Sequence, residues 1–296
     1  MSLSASQESV LPLDDLIKKA SDLTMMPQVA RKVIEMVADQ NSSASQLAAL
    51  LEKDPNITTR ILKIANSAFY GLRREVKTVQ QAIVVLGFKS LRSMVVASSS
   101  KALHKRFGIA EQMMWDHSIG SAIGGKLLAE GKSSAVGELA FVGGLLHNVG
   151  KTIMNNECPN VFAEVMKRFY NDDVSALDAE FEVFRYTHPD VGFKIAERWG
   201  LPFEICLIIR DYHLSKIEPR EREKVYQDSV LKQAMACVEV SVHLCELLGI
   251  GFRHKRENLA ISQLEGAKIL GLDQPKIVEL SKKMFDVYKR ERAVFD

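Results

Sequence analysis

The chain has no long apolar run. No stretch of about 18 apolar residues occurs, so no membrane-spanning helix is expected. The start, Met1 to Val10, is polar and Ser-rich and lacks the apolar core of a signal peptide, which points to a cytoplasmic protein with no membrane partner. Cysteine is scarce: Cys158, Cys206, Cys237 and Cys245 show no C-x-x-C spacing, which excludes a disulfide framework and a zinc ribbon and leaves reduced, structural thiols. Strand-like alternation, internal repeats and low-complexity linkers are also missing. Net charge is only +2, too small to mark the whole chain as a nucleic-acid binder.

What remains is helical periodicity, and the fold class it predicts is all-α. Leu16, Ile17, Ala20 and Leu23 share one face, and Val29, Val33, Met36 and Val37 follow Pro27 in the same way. Asn41 to Ser45 offers N-caps for a helix carrying Leu47, Leu50 and Leu51. Asp54-Pro55 is a start signal, with Asp as cap and Pro in the first turn. Thr78–Leu86 and Lys89–Leu103 read as two helices broken at Gly87. Later helices are expected at about 111–130, 136–155, 159–170, 174–184, 189–199, 203–213, 223–248, 262–270 and 274–290. Pro159, Pro189, Pro202 and Pro275 lie near four of these starts, where a missing N–H costs least. The polar run Lys216–Lys224 is the first boundary candidate, and Gly249–Asn258 the next.

Charge is uneven along this framework. Between Lys53 and Arg106, eleven Lys and Arg face only Asp54 and Glu75, a local +9. Solvated helix faces are the ordinary account; an acidic partner or phosphates are the alternative. Within that region Thr58, Thr59, Arg60 and Lys63 would lie on the second helix of a helix-turn-helix mimic, a pattern that arises easily in helical proteins.

The densest chemistry lies in Gly144-Leu-Leu-His-Asn-Val-Gly-Lys151 and in the histidines around it. His117 follows Trp115-Asp116, His147 ends an apolar run, His188 precedes Pro189, and His213 closes a helix that begins after Pro202. A lone His is more often a satisfied core or surface group than a ligand. Four on four helices could converge inside a bundle, where helical proteins build metal sites. His104, His243 and His254 lack such context. Gly143-Gly144 reads as a close helix contact rather than a phosphate loop, since neither a preceding strand nor a Lys-Ser/Thr pair is present.

In their order, these segments resemble the HDOD family, the "HD-related output domain" of bacterial signalling proteins. The resemblance is carried by Asp54-Pro55 through Ile64-Ala-Asn-Ser67-Ala-Phe-Tyr-Gly71 and by Thr78-Val-Gln-Gln-Ala-Ile83 with Leu86-Gly87. It continues through Trp115-Asp-His117-Ser118, Phe141 through Lys151, His188 with Gly192, and Trp199-Gly-Leu-Pro202 through His213. It implies a multi-helix bundle like that of HD phosphohydrolases with an N-terminal helical lobe: an HDOD domain over 12–215, divided at 108/109, and a helical extension over 216–296 packed on the HD-like lobe. It also implies metal-ligand positions at His117, His147, His188 and His213, and ligand-binding positions at Asn148 and Lys151. The chain departs from the HD pattern where Asn148 replaces the Asp after His147, and where Val242 stands at the late-helix Asp.

Neutral imidazoles bring no charge to compensate two divalent cations, and an amide oxygen is a poor bridging ligand. No cofactor is therefore assigned outright; one divalent cation (Fe, Mn or Zn) is the candidate. The reading these residues favour is a non-catalytic signalling module that binds a protein partner or ligand. A metal-dependent phosphohydrolase acting on a nucleotide or cyclic dinucleotide is the alternative, and a DNA-binding regulator the second.

Overall fold

The computed structural model describes residues 10–20, 43–66, 75–87, 99–171, 174–218 and 227–295, with isolated positions between them. Among the described residues there is no strand, and the architecture is all-α. The helix expected after Pro27, the exit Ser67–Gly71, most of 89–98 and the start of the helix expected at 223 lie largely outside the described residues.

The N-terminal part holds α1 (Leu13–Ala20), α2 (Ala44–Leu51), α3 (Pro55–Ala65) and α4 (Val79–Leu86). The starts of α2, α3 and α4 follow from side-chain caps that satisfy orphan N–H groups. Ser43 and Gln46 form a reciprocal capping box on α2, Asp54 accepts from Ile57 N–H (3.2 Å) before α3, and Thr78 accepts from Gln81 N–H (3.1 Å) on α4. Asn66, just past α3, bonds both the N–H and the C=O of Val76 at 2.7 Å each, tying the end of α3 to the approach to α4.

The larger part comprises α5 (Ile109–Leu128), α6 (Ser134–Leu146), α7 (Val149–Glu157), α8 (Pro159–Asn171), α9 (Ala176–Phe184), α10 (His188–Arg198), α11 (Phe203–Asp211), α12 (Ser229–Leu248), α13 (Glu265–Leu270) and α14 (Gln274–Glu291). Helices α5, α6 and α12 pack mutually at the centre, α7 lies on α10, α10 on α11, and α8 on α9. Glycine permits these crossings. A Cβ on Gly144 would sit 2.6 Å from the Ser121 carbonyl of α5, and a Cβ on Gly143 would strike Ile208 of α11. One on Gly150 would run into the His188 carbonyl and lie 2.9 Å from Gly192 N, so α7 and α10 meet backbone to backbone.

The segment expected as a single helix over 136–155 is two. His147 and Asn148 form a turn between α6 and α7. The turn redirects the chain so that Gly150 reaches α10, a constraint that a periodicity reading of one segment does not contain. At the other end of the core, the buried Glu239 of α12 accepts from Ser215 N–H (2.6 Å) and Gly266 N–H (2.7 Å), joining α12 to the start of α13 and to the turn after His213.

Candidate functional site

The four histidines named from sequence come from α5 (His117), the α6–α7 turn (His147), the first position of α10 (His188) and the residue after Tyr212 beyond α11 (His213). Three are buried and His213 is half-buried. The rings of His117 and His147 stand edge to face at 4.7 Å between centroids, and those of His188 and His213 at 5.9 Å. Tyr212 lies among them, 5.3 Å from His147, 6.3 Å from His188 and 3.9 Å from His213. Phe252 closes the other side, 4.9 Å from His117.

Hydrogen bonds fix which nitrogen keeps a lone pair in His117, His147 and His188. His147 Nδ1 lies 2.6 Å from the Gly144 carbonyl; a carbonyl only accepts, so Nδ1 carries the proton and Nε2 is bare. His188 Nδ1 donates to Glu180 Oε2 (2.7 Å), which also accepts the His188 backbone N–H (2.8 Å). The remaining His188 Nε2 accepts the Tyr212 hydroxyl proton at 2.9 Å. The Asn148 amide donates to His117 Nδ1 (3.0 Å) and faces Ser118 Oγ at 3.4 Å, so the proton of His117 is on Nε2. Two lone pairs that a cation would need are thus occupied by an amide and a phenol of the same chain. His147 Nε2 and His213 Nε2 are buried and without a hydrogen-bond partner among the described residues.

Electrostatics agree with neutral rings. Burial pushes His117, His147, His188 and His213 well below the ordinary imidazole range; a neighbouring charge lowers each further, His147 next for His117, Lys151 for His188. Burial also pulls Lys151 down, opposed by Glu180 and Glu246, and lifts Glu180 to about 7, opposed by Lys151 and the His188 N–H. Lys151 has no hydrogen-bond or ion-pair partner among the described residues and reaches a cleft of about 160 Å³ shared with His117, His188, Tyr212, His213 and Val242. A smaller cavity of about 40 Å³ lies over His117, Asn148, Lys151 and Glu180.

The structure therefore brings together every residue named from sequence for this site, though not as a metal cage. Among the described residues no three His, Cys, Asp or Glu side chains are grouped to hold a metal ion. Nor do nearby acids repair the set. Asp116 pairs with Arg292 (2.6 Å), Asp190 caps Thr187 at the start of α10, and Asp211 pairs with Arg210. As hydrogen-bonded, these residues do not fit a two-cation centre.

Two members of the cluster escaped the sequence reading. Glu180 stands at an apolar-stripe position, three after Leu177 and four before Phe184, and an acid there is a signal of burial with a partner. Tyr212 was hidden by its neighbour His213; nothing in its spacing announced that its hydroxyl would meet His188. In the N-terminal part, Thr58 of the helix-turn-helix mimic spends its hydroxyl on the Leu51 carbonyl (2.7 Å), while Thr59 and Lys63 are exposed.

Comparisons with known proteins agree with this architecture. A family profile described as HDOD domain matches residues 23–215. The fold is similar to a solved HDOD domain protein of unknown function from Geobacter sulfurreducens, with 22% identity, TM-score 0.67, and 95% of this chain and 99% of that one covered. It is also similar to a candidate phosphohydrolase from Shewanella amazonensis, with 22% identity, TM-score 0.65, and coverage of 95% and 96%. An uncharacterised Treponema pallidum protein is 21% identical over 204 residues, 66% of this chain, which spans only 39% of that protein's length.

Proposed function

The chain belongs to the HDOD domain family, and from that premise we propose that it is a non-catalytic signal-transduction module whose degenerate HD-type pocket binds a partner or ligand. The observation that carries this reading is the internal satisfaction of metal-binding lone pairs: Asn148 occupies His117 and Tyr212 occupies His188. Water activation between two cations needs a bridging carboxylate and open ligand positions. This pocket offers an amide and two imidazoles already bonded. Lys151, without a hydrogen-bond or ion-pair partner among the described residues, reaches the cleft and is suited to an anionic group of a bound ligand. In this reading residues 12–215 form the module, and 216–296 support its HD-like half.

The competing reading, a metal-dependent phosphohydrolase acting on a nucleotide, draws on the same lysine and on the fold shared with the Shewanella protein. Elemental analysis of the purified chain after exposure to Mn, Fe and Zn, beside turnover assays on mononucleotides and cyclic dinucleotides, separates the two. The proposal expects well under one cation per chain and no turnover, with uptake rising in an Asn148→Asp plus Tyr212→Phe double variant that frees both lone pairs. Stoichiometric metal in the unaltered chain, with turnover lost on His147→Ala, would sink it.

A further inference from the structure

On the outer side of α8 runs a groove of about 440 Å³. Ile109, Met113, Phe162, Met166, Tyr170 and Arg253 line it. Ile109 is 80% exposed and Phe107, just before α5, 44%. Large apolar side chains held in water beside an apolar groove are a mark of an interaction surface. The backbone presenting them is fixed rather than frayed. Glu111 caps Gly108 N–H (2.8 Å) and is itself held by the Asn155 amide of α7 (2.6 Å).

Charge narrows the occupant. Lys167 and Arg253 line the groove and no carboxylate does. Glu111 is engaged with Gly108 and Asn155, and Glu164 stands off Lys167 at 3.9 Å on solvated side chains. Arg253 lies over the Tyr170 ring (5.3 Å) and has no ion-pair partner among the described residues. Two cations on a lining that carries no carboxylate complement an acidic surface. The methionines Met113 and Met166 supply an adaptable lining of the sort that accepts an apolar helix stripe.

We infer that this groove docks an amphipathic helix of a partner protein, its apolar side chains seated on Phe162 and Met166 and its flanking Asp or Glu side chains meeting Lys167 and Arg253. Phe162, Met166 and Tyr170 also wall the small cavity over His117, Asn148 and Lys151. A helix in the groove therefore lies one layer of side chains from the histidine cluster. That adjacency gives the signalling reading above its output surface and rests on it; the docking itself does not.

The test is selection from a display library of randomised helical peptides on the full chain, with counterselection on Ile109→Asp. Ile109 is exposed, so the variant keeps its fold, which circular dichroism checks. The expected winners carry apolar residues at i, i+3 or i+4 and i+7 flanked by Asp and Glu. Their affinity falls at least tenfold on Ile109→Asp and on Arg253→Glu. Basic or non-helical winners, affinity indifferent to both variants, or no enrichment would each overturn the inference. So would self-association abolished by Ile109→Asp, which would assign the groove to a second copy. Stoichiometric metal uptake would sink the non-catalytic reading and leave this selection unaffected.

Discussion

Glu180 and Glu239 are both fully buried carboxylates, and they differ in what they leave unmet. Each oxygen of Glu239 accepts a backbone N–H, so its charge is distributed over a joint between α12, α13 and the turn after His213. Glu180 puts both of its bonds on one oxygen, toward His188, while its other oxygen has no hydrogen-bond donor among the described residues, and burial lifts its pKa to about 7. Structural acids are those the fold completes. A site is where completion stops, and the bare nitrogen of His147 lies in the same cluster.

The largest effect expected on this contrast comes from acid. The four cluster histidines are held well below their unfolded value of 6.5, so the folded chain binds fewer protons than the unfolded one. Their contribution is present above pH 6.5 and is lost progressively as pH falls below that value. Glu180 acts with the opposite sign: raised from 4.5 to about 7, it contributes fully below 4.5 and loses that contribution as pH rises to 7. Four rings outweigh one carboxyl, so melting temperature should drop on acidification from pH 7 toward 5. A flat profile there would mean that the rings are not buried as described.

Next in size is Glu239→Ala, which strands the buried Gly266 N–H and frees the Ser215 N–H. A loss of about 3 kcal/mol in denaturant unfolding is expected. Smallest is Glu180→Gln, whose amide oxygen can still accept the His188 N–H without a charge to bury. Near pH 4.5, where the Glu180 carboxyl is protonated in the fold, a change within about 1 kcal/mol is expected, and wild type falls progressively behind the variant as pH rises to 7. Equal losses for Glu239→Ala and Glu180→Gln would erase the distinction between joint and site.

Much of this was legible in the sequence, for identifiable reasons. Helix starts at Asp54-Pro55, Pro159 and Pro189 were readable because caps and proline act over one turn. The histidines and Asn148 were readable because the HDOD resemblance preserves their order. The break at His147–Asn148 was not, since it depends on α10 lying against Gly150. Neither was the hydroxyl that fills His188. Tyr212 and His188 are 24 positions apart, and only the crossing of α10 and α11 brings them together.

That crossing at Gly150 has a consequence for how the pocket can change shape. Helices α7 and α10 touch through bare backbone, so neither can slide or roll without driving main chain into main chain. They act as the fixed jaw of a vice, and His147 and His188 are mounted on it. Helix α8 faces α7 across the small cavity through side chains rather than backbone, among them the half-buried Met166 and Phe169. The less constrained wall of the pocket is α8, the helix whose outer surface is the groove.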